Sequence, residues 1–241
     1  MEILFLVLIG LSGGLIKGTS GFGSSLVTIP LLFLAGYTKN EAVTMMITSN
    51  IALNVLLMYE NRNYFHLETV KKIYPIILAG VLFTGLGLYL SGNINSYVVE
   101  VMAGCLIIVA IINKVTTLEL KIKENFVSLF TVGIFSGIGN GIASIDGPPV
   151  VFYLTSIGAP KERFKSTLAT HFFIMGIAGV IILIFKGEYN VEILTSTLYL
   201  FTSLVVGLLI GMVIGRKLNE ELFQKVVLVI LIGLAVSLFI P

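Results

Sequence analysis

The chain has 241 residues, of which 56% are hydrophobic and only 12% charged. Soluble domains carry about 25% charged residues, so a soluble globule, a disordered chain and a secreted disulfide scaffold are excluded, the last also because Cys105 is the sole cysteine. The formal net charge of +2 says little, since in a membrane protein the placement of charge matters more than its sum.

Apolar segments occur at 3–16, 25–36, 42–59, 73–90 and 97–113, and then at 127–139, 148–158, 166–185, 191–214 and 222–240. They are continuously apolar rather than alternating with period two, which excludes a membrane β-barrel and predicts an all-α polytopic membrane protein. Six are long enough to cross a bilayer. The segments 3–16, 25–36, 127–139 and 148–158 reach only roughly 15–21 Å as helix, which suits re-entrant or broken pieces. No removable signal is expected, because no basic region precedes the first apolar stretch.

The order of segments repeats. Ser12-Gly13 corresponds to Ser136-Gly137, and the Gly-rich stretch 18–25 corresponds to 139–147. Gly36, Lys39, Thr44 and Thr48 precede Gly158, Lys161, Ser166 and Thr170 by a constant 122 residues. Tyr64, Tyr74 and Gly85 have counterparts at Tyr189, Tyr199 and Gly211. The predicted organisation is a first repeat over 1–117 (hairpin 3–36, spans 42–59, 73–90 and 97–113) and a second over 118–241 (hairpin 127–158, spans 166–185, 191–214 and 222–240). The charged stretch 114–125 links them.

Charge placement sets the expected topology. With a short hairpin and three spans per repeat, loops 60–72, 113–125, 159–165 and 215–225 share one side. Those loops carry Arg62, Lys71, Lys72, Lys114, Lys121, Lys123, Lys161, Arg163, Lys165, Arg216, Lys217 and Lys225, against Lys39 and Lys186 on the other. If residues 3–36 formed one span, the same charges would divide evenly. The positive-inside rule selects the first arrangement, with inverted repeats and both termini outside.

Short, Gly- or Pro-interrupted segments at matching places in two halves are the sequence mark of a transport site. Here they are Lys17-Gly18-Thr19-Ser20-Gly21-Phe22-Gly23-Ser24-Ser25 and Gly139-Asn140-Gly141-Ile142-Ala143-Ser144-Ile145-Asp146-Gly147-Pro148-Pro149. Helices restarting at about Ser24 and Gly147 would present free N–H groups, which favour an anion. The expected binding residues are Ser20, Gly21, Gly23, Ser24, Ser25, Asn140, Ser144, Asp146 and Gly147, with Lys17 secondary. Against this, the glycines have a packing role open to them, as in small-xxx-small contacts.

Several side chains carry two readings. Asp146, followed by Gly147-Pro148-Pro149, reads as a helix N-cap or as a proton carrier. Lys17 reads first as a lysine snorkelling from the hairpin tip to the interface, and second as positive charge for an anion. His171 suits an interhelical hydrogen bond or a proton relay. Asn50 and Asn54, at i and i+4, line a path or join helices. Thr48 and Thr170 share those possibilities, or bond back to their own helix carbonyls. Glu100 and Glu192 read as helix-dipole partners.

At these hairpins the sequence resembles the TauE/SafE-type sulfite exporter family of membrane permeases. The residues carrying the resemblance are Gly18 to Gly23, Pro30-Leu31-Leu32 and Gly36, then Ala143 to Val151, Gly158 and Pro160-Lys161. The first break has Gly23-Ser24-Ser25 where the family has a glycine triplet. The resemblance implies movement of a small sulfur-containing anion such as sulfite, thiosulfate or a sulfonate across a bacterial-type plasma membrane, with no catalysis and no cofactor. The expected partners are that anion, protons and membrane lipid, with no nucleic acid. No ATP-binding motif is present, so ion or substrate gradients must drive the cycle. A passive anion channel, or a carrier of another small organic anion, is the alternative. An intramembrane enzyme lacks paired catalytic groups, and a purely structural subunit would not need two matched helix breaks.

Overall fold

In the computed structural model, residues 2–64, 67–91 and 123–239 are described, and every regular element among them is helical. α1 (Glu2–Ser20) and α2 (Ser24–Leu34) form a first hairpin, followed by α3 (Lys39–Glu60), a 3-10 turn (Arg62–Tyr64) and α4 (Leu67–Leu90). α5 (Phe126–Ala143) and α6 (Gly147–Ser156) form a second hairpin, followed by α7 (Lys161–Phe185), α8 (Val191–Lys217) and α9 (Glu220–Phe239). The expected span 97–113, with Glu100 and Cys105, lies outside the described residues. Six helices, α1, α3, α4, α5, α7 and α8, are long and apolar enough to cross a membrane. The chain is a multi-pass membrane protein.

Local chemistry marks the helix starts. Thr38 and Glu41 form a capping box on α3, while Asn125 and Asn190 accept from the Ser128 and Ile193 N–H groups at the starts of α5 and α8.

The first arms of both hairpins are longer than expected. α1 has 19 residues and α5 has 18, where segments of 14 and 13 residues were predicted at 3–16 and 127–139. The reason lies in what the glycines face. Gly10, Gly14 and Gly18 of α1 pack on Leu200, Leu204 and Leu208, while Gly207, Gly211 and Gly215 of α8 pack on Leu11, Leu15 and Thr19. A Cβ on Gly14 would strike the Leu204 carbonyl. In the same way Gly133, Gly137 and Gly141 of α5 lie on Ile76, Gly80 and Thr84 of α4. These are small-xxx-small contacts that draw two backbones together within a continuous helix. The breaks themselves are only residues 21–23 and 144–146.

Both close pairs, α1 with α8 and α5 with α4, run parallel, because contacts advance in step along the two chains. α3 and α7 run antiparallel: Gly176 meets Ile51, and Gly179 meets Ile47.

Each hairpin begins and finishes at one end of the bundle. Leu4, Phe5 and Leu8 of α1 share a cavity with Ala35, Gly36 and Tyr37 after α2. Likewise the Tyr153 hydroxyl on α6 donates to Glu124, before α5, at 2.7 Å, and Arg163 donates to the same oxygen at 2.8 Å. The Tyr153 hydrogen bond, with the Arg163 bond and charge beside it, holds the Glu124 carboxyl below the usual carboxylate range. Glu124, Arg163, Lys161 (bonded to the Leu218 carbonyl) and Arg216 (paired with Glu60 at 3.0 Å) gather at this end, hereafter the basic end. At the opposite end Lys39 donates to the Ser91 carbonyl and Lys186 to the Leu88 carbonyl.

Candidate functional site

The two breaks meet in the interior. Gly21 and Gly23 take φ values of 90° and 87°, and Ser144 takes 52°; these left-handed conformations turn the chain sharply where each first arm ends. Ser25 Oγ lies 3.4 Å from Ser144 Oγ, so the start of α2 touches the second break directly. Gly147, at the start of α6, is flanked by Phe172 and by Phe22 of the first break.

Lys17, Gly23, Ser24, Ser25, Asn50, Ser144, Asp146, Gly147 and Phe172 line a cavity of about 10 Å³ at this junction. That is room for about one water molecule, so the junction is closed in this conformation. Lys17 is 2% exposed and donates to Asn50 Oδ1 at 2.8 Å, with its ammonium 5.3 Å from the centre of the Phe172 ring. The Ser24 hydroxyl donates to the same Asn50 oxygen at 3.2 Å, and Asn50 Nδ2 donates to Ser25 Oγ at 3.2 Å. The snorkelling reading of Lys17 is therefore wrong. Its stem runs to the end of α1, where a carboxamide on α3 and an aromatic face on α7 receive the charge inside the bundle.

The two helix starts are not equivalent. α2 follows Gly23, which has no side chain to cap it, so its first turn presents the Ser24, Ser25 and Leu26 N–H groups beside Lys17. α6 follows Asp146, which stands at the N-cap position but makes no side-chain cap bond. Pro148 and Pro149 have no N–H, leaving Gly147 as the donor among the first three residues of α6. The matched donor pair expected from the sequence is thus lopsided: donors and the cation cluster on the first break, while the second contributes the carboxylate, the Ser144 hydroxyl and its helix dipole.

Other predicted residues lie around this centre rather than on it. Ser20 is occupied within its own break, its hydroxyl lying 2.8 Å from the Ile16 carbonyl and 3.0 Å from the Phe22 carbonyl. Gly21 packs on Lys165. Asn140 donates to Thr84 Oγ1 at 3.3 Å. Thr48 and Thr170 bond back to the Thr44 and Ser166 carbonyls, and Thr48 also meets the Tyr189 hydroxyl at 2.8 Å. His171 Nε2 lies 2.8 Å from Ser136 Oγ, and the Ser136 hydroxyl lies 2.8 Å from the Asp146 backbone carbonyl. Since the serine has one proton and gives it to that carbonyl, His171 is the donor through Nε2, leaving Nδ1 without a partner among the described residues. Asn54 is fully buried, and among the described residues neither atom of its carboxamide has a hydrogen-bond partner.

Sequence reasoning missed two features. Lys165, counted among solvated loop charges, lies in α7 at 3% exposure and reaches the Gly18 carbonyl at 3.4 Å. Phe172 supplies the aromatic face of the cavity. It is seven residues beyond Lys165 on the same helix, a spacing that would have placed both on one face.

A larger cavity of about 560 Å³ lies at the opposite end, between the start of α1, the α2–α3 turn and the start of α8. Its wall is mostly apolar, with Glu41 and Glu192 as its charged residues. Among the described residues no group of three or more His, Cys, Asp or Glu side chains is placed to hold a metal ion.

The family model described as Sulfite exporter TauE/SafE matches residues 6–238, nearly the whole chain. No curated protein matches the sequence, and no solved structure matches the fold. From a match of that extent, spanning both hairpins and the helices between them, the chain belongs to the TauE/SafE sulfite exporter family.

Proposed function

We propose that the chain is a secondary transporter that carries a small sulfur oxyanion, such as sulfite, thiosulfate or a sulfonate, across the plasma membrane and couples it to protons. One observation carries the reading most heavily. A buried lysine, a carboxylate and an uncapped helix start converge on a closed cavity where two helix breaks touch. Polar groups at such depth are costly unless they serve a pathway. An oxyanion fits this set: Lys17 supplies a full charge, the α2 N-terminus supplies oriented N–H groups, and the serine hydroxyls supply neutral donors.

Family membership supports transport of this cargo class rather than catalysis. The closed centre supports alternating access over an open pore, since a cavity of about 10 Å³ conducts no polyatomic anion. The hairpins must part for cargo to enter. The reciprocal pairing of each hairpin's first arm with a span of the other half, and the antiparallel α3 and α7, support two inverted repeats over 1–117 and 118–241. The gathering of Arg62, Lys161, Arg163, Arg216 and Lys217 at one end supports a cytoplasmic basic end and external termini.

Proton linkage rests on Asp146. An ionised carboxylate and a bound anion repel each other inside one small cavity, and protonating the carboxylate removes that repulsion. Proton and anion then bind cooperatively, each strengthening the other by the same factor.

Proteoliposomes offered sulfite, thiosulfate, sulfoacetate, sulfate and acetate test the reading. Saturable uptake of a sulfur oxyanion, stimulated by a pH gradient, is expected. Asp146→Asn should keep anion binding and lose the response to the gradient. Non-saturable conductance, or preference for acetate over every sulfur anion, would contradict the proposal.

A further inference from the structure

Asn54 is the polar side chain that the central site leaves unexplained. It has no solvent exposure, and its Nδ2 and Oδ1 both lack partners among the described residues. A carboxamide joining two helices needs a group on the second helix to bond, and none is present. Isolated in a packed apolar interior, such a group is disfavoured relative to leucine, which has similar volume and nothing to satisfy. A polar visitor passing this point would supply the missing partners.

Its position says where that visitor travels. Asn54 stands one helical turn beyond Asn50 on the same face of α3, on the side toward the basic end. Asn50 holds Lys17 and Ser24 at the cavity. Further along, Asn61 continues the same face and is buried. Glu60, beside it, pairs with Arg216 through Oε1 and has a buried Oε2 without a partner among the described residues. On α3, Asn54 and Glu60 Oε2 thus place buried polar atoms without partners, among the described residues, on the basic side of the cavity.

We infer that Asn54 is the next contact of the translocated oxyanion, with its accompanying water, as it passes between α3 and α7 from the central cavity to the basic end. This rests on the transport reading above and adds the route. The amide N–H groups replace hydration shed by the oxyanion, and the amide oxygen accepts from the water that follows it. As a neutral group it hands the cargo on without trapping it.

Two measurements in reconstituted protein test this. In the first, Asn54→Cys in a Cys105→Ser background is exposed to a small anionic methanethiosulfonate reagent from either side. Modification from the basic end is expected; no modification, or modification only from the opposite end, would overturn the route. In the second, Asn54→Leu is expected to lower the turnover of the anion that wild-type liposomes move by at least about tenfold. Equilibrium binding should stay within about twofold of wild type, because the central contacts are untouched. Wild-type turnover in Asn54→Leu would show a structural residue and overturn the inference. Failure of the wild-type liposomes to move any sulfur oxyanion would instead defeat the transport reading itself.

Discussion

At the scale of single residues, Lys17 changes most between sequence and structure. Lysine near a hairpin tip ordinarily sends its ammonium to the interface. Here the interface is not where its bonds are: Asn50 and the Phe172 ring receive it inside the bundle. A hydrogen bond to a charged group contributes about 1.5–3 kcal/mol, so Lys17→Gln is expected to weaken anion binding by roughly ten- to a hundredfold. Titration calorimetry of purified protein with the transported anion checks this; a change below about twofold would remove Lys17 from the site. Gly147 offers a complementary test. Its backbone is not left-handed, and an added Cβ would lie 3.8 Å from Phe172 and Phe22. Gly147→Leu should therefore fold, project into the cavity and abolish uptake, with insertion checked by size-exclusion profile. Normal uptake in that variant would contradict the placement of the cavity.

At the scale of elements, the class of protein and the two helix restarts were legible in the sequence. Ser24 and Gly147 begin helices as expected because glycine and proline mark those positions by local conformation alone. The lengths of α1 and α5 were not legible. Glycines that signal a break and glycines that signal close packing look alike in one dimension, and only the partner helix distinguishes them. Gly18 and Gly141 belong to the packing set, Gly21 and Gly23 to the break. The buried state of Lys165 and the unpaired state of Asn54 were hidden for the same reason, since both depend on a neighbour distant in sequence. The packing role has its own consequence. Gly14→Leu must push α1 away from the Leu204 carbonyl, and overpacking of this kind costs about 1–3 kcal/mol or more. A lower thermal midpoint in detergent is expected, and an unchanged midpoint would mean that α1 and α8 are not in contact.

At the scale of the whole molecule, two hairpins enter from opposite ends and meet at Ser25 and Ser144. The topology that goes with this places Asn63 at the basic end and Asn190 at the other. Cysteines at these positions, in a Cys105→Ser background, should label from opposite sides of the membrane with an impermeant thiol reagent. Labelling of both from one side would rule out the arrangement. The cavity between the hairpins admits about one water, so the proposed route requires the two breaks to separate in every transport cycle. Ser25→Cys with Ser144→Cys tests that requirement most directly, the native hydroxyls being 3.4 Å apart. Uptake is measured in a Cys105→Ser background, with a transported sulfonate as cargo because sulfite itself cleaves disulfides. Oxidation of the pair should stop uptake and reduction should restore it, while each single variant ignores both treatments. Undiminished uptake through the oxidised, crosslinked protein would contradict passage of the anion between the two hairpins.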